Sequence, residues 1–213
     1  MQTDRIKILV DSIKRLLRRG ATTHLSNIVT KTHAADLSVV FRALSVSQQH
    51  QLFDLITDIE QKGILFSELD VDTFLDLIED IDLDDIVDVF EQMPNDDVAD
   101  LVGRLPEDKA DAILEKMKKD ESDEVEDLLR YENDTAGGIM VPDFIALAED
   151  TTAKEAIEAL QKEYSDVEMP FYLYVVDDYG KLVGVSSLRQ LVLVRPETPL
   201  REFMTTDVFS VQT

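Results

Sequence analysis

The sequence predicts two unlike domains, an all-α solenoid of short helices followed by a small α/β module. Three observations carry that expectation. An apolar pattern repeats every 12 to 13 residues between positions 37 and 117, strand-length apolar runs replace it after position 140, and an acidic excess is concentrated in the repeating part. At 213 residues the chain is long enough for two domains with a core each.

The repeat is read from four consecutive sets: Phe74, Leu77, Ile78, Ile81; Ile86, Val89, Phe90, Met93; Val98, Leu101, Val102, Leu105; and Ala110, Ile113, Leu114, Met117. Each follows i, i+3, i+4, i+7, one face of a helix. Earlier copies are Leu65, Phe66, Leu69 with Lys62 in the first slot, Leu52, Phe53, Ile56 with Gln49, and the opening set Leu37, Val40, Phe41, Leu44. Seven helices joined by tight turns follow from this spacing. Asp72, Asp84 and Asn95 stand at expected N-caps, and Pro94 and Pro106 mark helix boundaries. Ile6, Leu9, Ile13, Leu16 and Leu17 predict one earlier helix, ended by Gly20.

With 45 acidic and 21 basic residues the formal charge is −24, and residues 68–127 alone hold 24 acidic against 5 basic. Such a surface repels phosphate backbones and anionic lipid, so no nucleic-acid partner is expected. Zero Cys excludes disulfides and thiolate chemistry, and His24, His33 and His50 are spaced unlike paired metal ligands. The longest apolar runs, FYLYVV and LVLV, are far short of a membrane span, and MQTDRIKILV has charges where a secretory signal needs an apolar run; a cytoplasmic setting is expected. Ser186-Ser187 lacks a nucleophile elbow. Gly137-Gly138 lacks the third glycine of a dinucleotide fingerprint and is expected instead to permit an unusual backbone turn. No enzyme activity is expected.

In the second part, residues 144–147 predict a strand, and Thr152 with Glu155 a capping box opening a helix to Tyr164. Residues 171–176 predict a buried strand, 177–180 a hairpin turn and 182–186 the next strand, and Ser187 caps a helix to Val194. The order is β-α-β-β-α. A similar opening recurs at Pro199–Met204, with a short strand expected over Asp207–Val211.

This unit, with YVVDDYGKLVGVSSLRQL inside it, resembles a CBS module. The preceding RYENDTAGGIMVP, between an acidic helical array and such a module, resembles the cytosolic region of MgtE-type magnesium transporters. The resemblance implies an N-terminal helical domain over 1–130, an armadillo-like superhelix of short helices, then a junction over 131–140, a first CBS module over 141–198 and the start of a truncated second one over 199–213. It also implies a homodimer through CBS modules at the cytoplasmic face of the cell membrane, regulating a transmembrane domain outside this chain. In that family Mg2+ held between the N domain and the CBS modules favours the closed state.

Aligned to the family's acidic helix, Asn95-Asp96-Asp97-Val98-Ala99-Asp100-Leu101 makes Asp96 and Asp100 the first metal-ligand candidates, with Asp97 next. Asp76, two repeats (24 residues) before Asp100, falls where the family tends to have a ligating Glu. The plainer reading is a solvated face and helix-start acids stabilised by the macrodipole. Asp100 lies beyond the first turn and forms an unfavourable i, i+4 pair with Asp96. CBS modules commonly bind adenine nucleotides such as ATP, and Tyr172 and Arg189 match positions used for that purpose. Gln190 stands where the family's ribose-binding Asp is expected, without the charge that strengthens such a bond. The competing functions are an adenine-nucleotide-sensing CBS adaptor with a helical docking domain, and a purely structural scaffold similar to the armadillo-like repeats of flagellar motor switch proteins.

Overall fold

The computed structural model describes residues 2–132, 134–162 and 171–212, with side chains from residue 5 onward. The chain divides into two compact units, Met1–Gly138 and Ile139–Thr213.

Among the described residues the first unit has ten helices: α1 (Gln2–Arg18), α2 (Thr22–Val29), α3 (Ala34–Arg42), α4 (Val46–Phe53), α5 (Ile59–Glu68), α6 (Val71–Ile78), α7 (Leu83–Phe90), α8 (Asn95–Val102), α9 (Glu107–Lys116) and α10 (Lys119–Leu128). Most are eight to ten residues long. Isolated helices below about 12 residues are marginal in water, so these depend on what they bury. The repeat supplies that burial. Phe74, Leu77 and Ile78 on α6, Ile86, Val89 and Phe90 on α7, and Val98, Leu101 and Val102 on α8 are all buried, each side chain stabilising by about 1.5–3 kcal/mol. Phe66 is the hub: it stacks on Phe53 at 5.2 Å and meets Phe74 and Phe90 edge-on at 5.5 and 6.3 Å.

The same period appears in the caps. N-caps fall at Asp58, Asp70, Asp82, Pro94, Pro106 and Lys118, every twelve residues. The Asp58 carboxylate accepts from the Glu60 and Gln61 amides, Asp70 from Thr73 and Asp82 from Asp84. The caps are therefore not Asp72, Asp84 and Asn95, which sit one or two positions inside their helices. Acids flank the starts of α6 and α7 on both sides, and the extended backbone of Asp70 and Asp82 (ψ 156° and 141°) selects the earlier one. Pro94 and Pro106 do mark boundaries, and Gly20, at φ +62°, ends α1 as expected.

Two helices have no counterpart in the sequence pattern. On α2 Leu25 and Val29 are buried, and on α10 Ser122, Val125 and Leu128. Stripes this thin fall below what apolar periodicity detects. Polar rungs join the helices at sequence separations of 27 to 32. Arg42 Nε pairs with Asp70 at 2.8 Å, Ser67 Oγ donates to Asp97 at 3.2 Å, Asn95 Nδ2 to Glu124 at 2.6 Å, and Lys118 Nζ pairs with Glu91 at 2.9 Å. Lys116 pairs with Asp84, and Lys109 donates to the carbonyls of Ile78 and Glu79 at the end of α6, where a cation complements the helix dipole.

The second unit runs β1 (Ala146–Ala148), α11 (Ala153–Lys162), β2 (Tyr172–Val176), β3 (Leu182–Ser187), α12 (Leu188–Leu193) and a 3-10 turn at Leu200–Glu202. The sheet order is β1-β2-β3, with β1 parallel and β3 antiparallel to β2. Leu173 and Val175 of β2 face a core of Ile145, Ala153, Ala156, Leu191 and Leu200. The Thr152/Glu155 capping box is present; Tyr164, the expected helix end, lies outside the described residues. Phe144 precedes β1, and residues 207–212 have no regular structure, so the strand expected over Asp207–Val211 is absent. Its segment pairs earlier, in a single antiparallel bridge between Val185 and Thr205.

Gly137 has a different role from the one its sequence suggests. Its φ is not positive; a Cβ there would lie 2.2 Å from the Tyr131 ring, so the glycine allows the backbone to press on the aromatic face.

Two outcomes are expected. The Thr73 amide, with Arg42 beside it, holds the Asp70 carboxyl below its ordinary value of 3.8 against the opposing effect of desolvation. Asp70→Ala should lower stability in urea titrations by about 1 kcal/mol. Because the folded-state pKa is depressed, the contribution of Asp70 is fully present above pH 3.8 and is lost as pH falls through the folded value, so wild type and variant should converge in acid. Gly137→Ala should destabilise by about 1–3 kcal/mol through overpacking, and should be nearly neutral in a Tyr131→Ala background; equal losses in both backgrounds would refute the ring contact as the cause.

Candidate functional site

The acids singled out in the sequence lie on α6 and α8. Burial of Val98, Leu101 and Val102 turns the opposite side of α8 outward and places Asp96 and Asp97 in its first turn. There the exposed amides and the helix dipole favour negative charge by about 0.3–1 kcal/mol per group. Asp96 is half-buried. Asp97 is half-buried too, one oxygen taking the Ser67 hydroxyl from α5. Asp100 is exposed one turn on, and Asp76 is exposed on α6. The structure thus brings Asp96, Asp97 and Asp100 onto one eight-residue helix and keeps Asp76 on another. Among the described residues no group of three or more His, Asp or Glu side chains is placed to hold a metal ion.

Cations in the acidic block are largely committed. Lys116 is held by Asp84, Lys118 by Glu91 and Glu121, and Lys109 by the α6 carbonyls, where burial pushes its pKa down. Among the described residues Asp76, Asp97 and Asp100 are in no ion pair. Mg2+ takes oxygen ligands, keeps several waters and needs only one or two carboxylates. Exposed single carboxylates such as Asp100 and Asp76 suit a hydrated ion and leave its remaining positions to other groups.

One acidic feature was not anticipated. Asp111, Glu115, Asp123 and Glu126 line an open cleft of about 460 Å³ between α9 and α10. The Asp111/Glu115 like-charge pair is visible in the sequence, but α10 is not, so its carboxylates could not be placed opposite.

In the second unit Tyr172 opens β2 and is 62% exposed. Sheet register sets it across from Ser187, and the Leu188 amide donates to the Phe171 carbonyl at 3.1 Å. Tyr172 therefore lies beside the start of α12, on which Arg189 is the second residue and exposed. Gln190 is occupied within the chain. Its Oε1 accepts from the Ser187 amide at 2.8 Å and hydroxyl at 3.0 Å, and its Nε2 donates to the Phe203 carbonyl at 3.0 Å. His24 and His33 are exposed, and His50 is half-buried with Nε2 3.8 Å from an Asp80 oxygen.

Comparison with known proteins gives a consistent picture. Residues 32–134 match the family model of the MgtE intracellular N domain, and residues 136–197 that of the CBS domain. The magnesium transporter MgtE of Thermus thermophilus is 44% identical over 89 residues, 42% of this chain and 20% of the relative. That of Enterococcus faecalis is 36% identical over 87 residues, 41% of this chain and 19% of the relative. The matched segment thus spans about a fifth of the length of these curated relatives. Among solved structures, the cytosolic domain of the Mg2+ channel MgtE in complex with ATP superposes with TM-score 0.87 at 28% identity, over 95% of this chain and 82% of that one. The soluble part of a magnesium transporter shares the fold with TM-score 0.80 at 22% identity, over 96% of this chain and 80% of that one. With its N domain followed directly by a CBS domain, the chain belongs to the MgtE family and corresponds to the cytosolic region of such transporters.

Proposed function

We propose that the chain is the Mg2+-sensing regulatory region of an MgtE-type transporter, working at the cytoplasmic face of the membrane on a transmembrane domain outside this chain. The observation that carries the reading is a family N domain whose 60-residue acidic block holds 24 acidic and 5 basic residues, with Asp76 and Asp100 exposed and outside any ion pair among the described residues. Packed carboxylates repel one another and oppose compaction, and a divalent cation bridging two acidic surfaces relieves that repulsion. In this reading Asp96 and Asp100, one turn apart, present the primary carboxylates, Asp97 and Asp76 contribute beside them, and groups from CBS modules complete the shell. Mg2+ then favours the compact, closed state, and a homodimer paired through CBS modules transmits the change. The chemistry is binding, not turnover.

A second reading has one observation in its favour, since the superposing MgtE cytosolic domain was solved with ATP. Tyr172 beside the start of α12 offers a stacking ring, and Arg189 a cation for phosphate. Against a strong ribose contact, Gln190 already uses both ends of its amide.

Thermal melts of the chain at fixed ionic strength test the first reading. About 20 mM Mg2+ should stabilise the protein with the saturable RT ln(1 + [L]/Kd) dependence of a site, and Asp96→Asn/Asp100→Asn should abolish the shift. An equal shift in both proteins means screening alone and removes these residues from the proposal.

A further inference from the structure

The first helices are the electrostatic opposite of the rest of the chain. Residues 1–31 hold 7 basic and 2 acidic residues, whereas residues 32–213 hold 14 basic and 43 acidic. They also precede the segment that matches the family's N-domain model. On α1 the apolar side is already used: Ile13 and Leu17 are buried, and the helix packs on α2, α3 and α4. Arg5, Lys7, Arg15, Arg18 and Arg19 are exposed on the remaining surface, with Lys14 half-exposed.

None of these six cations is in an ion pair among the described residues, although the same compact unit holds the acidic block. Lys109, Lys116 and Lys118, by contrast, are all engaged inside that block. The block's own carboxylates therefore do not satisfy α1 within one chain, and exposed acids such as Asp72, Asp85 and Asp88 remain outward.

We propose that the cationic face of α1 docks on the acidic block, residues 68–127, of a second copy of this chain. Charge complementarity selects this occupant: the block of 24 acidic against 5 basic residues is the chain's own, and two-fold symmetry allows each copy to give one α1 and receive one. An anionic lipid surface fits less well. The apolar side of α1 is unavailable for insertion, and the remainder of the chain is repelled from such a surface. This contact is carried by residues other than the Mg2+ ligands proposed above and does not rest on that assignment.

A carbodiimide, which couples an amine directly to a carboxylate, tests the contact in an equimolar mixture of unlabelled and ¹⁵N-labelled chain. At about 50 mM salt, mixed-isotope cross-links should join Lys7 or Lys14 to peptides from 68–127; at about 500 mM, where the Debye length is only a few ångström, they should disappear. Arg15→Glu/Arg18→Glu/Arg19→Glu should abolish these low-salt links, while circular dichroism confirms that the helices are retained. Links confined to one isotope, links only to acids outside 68–127, or a chain monomeric at low salt would each overturn the proposal. So would a chain that sediments as monomer and binds phosphatidylserine vesicles in a manner lost in the triple variant, which would assign the face to lipid.

Discussion

The helical unit depends on one constraint, that helices too short to stand alone must each bury a narrow apolar stripe against neighbours that need the same. Eight residues make little more than two turns, so a helix such as α7 holds only because Ile86, Val89 and Phe90 are removed from water. The stripe takes three or four positions in twelve and leaves the others free of packing demands. Charge accumulates on those free positions without breaking the core. That is how 24 acids fit into 60 residues of a well-packed domain.

Those acids do several different things. Asp70 and Asp82 cap helices, Asp84, Glu91 and Glu124 accept from residues 27 to 32 positions away, and Asp97 receives a hydroxyl from α5. Rungs of this kind set the register between helices where an apolar stripe alone would tolerate sliding. Asp76 and Asp100 belong to neither class. Being exposed, they gain little from the fold, and their mutual repulsion with neighbouring acids weakens it, so an external cation is a physically sufficient reason for their placement under the proposed function.

What the sequence disclosed follows the same physics. Seven helices, α3 to α9, are legible because large apolar residues recur with helical period, and the β-α-β-β-α order of the module is legible from strand-length runs between turn residues. Helices α2 and α10 were not, since Leu25 with Val29, or Val125 with Leu128, gives too few apolar points to define a period. The caps of α6 and α7 lie two residues before the acids the sequence suggests because Asp stands on both sides of these starts, and only backbone geometry separates Asp70 from Asp72. At Gly137 a sequence can suggest backbone freedom, but not that a Tyr131 ring occupies the space of a side chain. The candidate acids were found by motif likeness, and what lay beyond reach was their state of engagement, such as the Ser67 bond on Asp97.

Gln190 shows how local structure narrows a ligand role. A carboxylate at this position, third in the helix after Ser187, could also close the capping box, because the reciprocal bond needs only an acceptor. The amide does more. While its oxygen holds the Ser187 amide, its nitrogen holds the carbonyl of Phe203, fastening α12 to the chain that leaves the module. A carboxylate has no donor for that second bond and retains a charged oxygen for something else. Substituting the amide thus exchanges an available acceptor for an internal tie between α12 and the segment that follows it. Under the nucleotide reading proposed above, the exposed pair Tyr172 and Arg189 would carry more of the affinity, through a ring and a cation that suit aromatic anions in general.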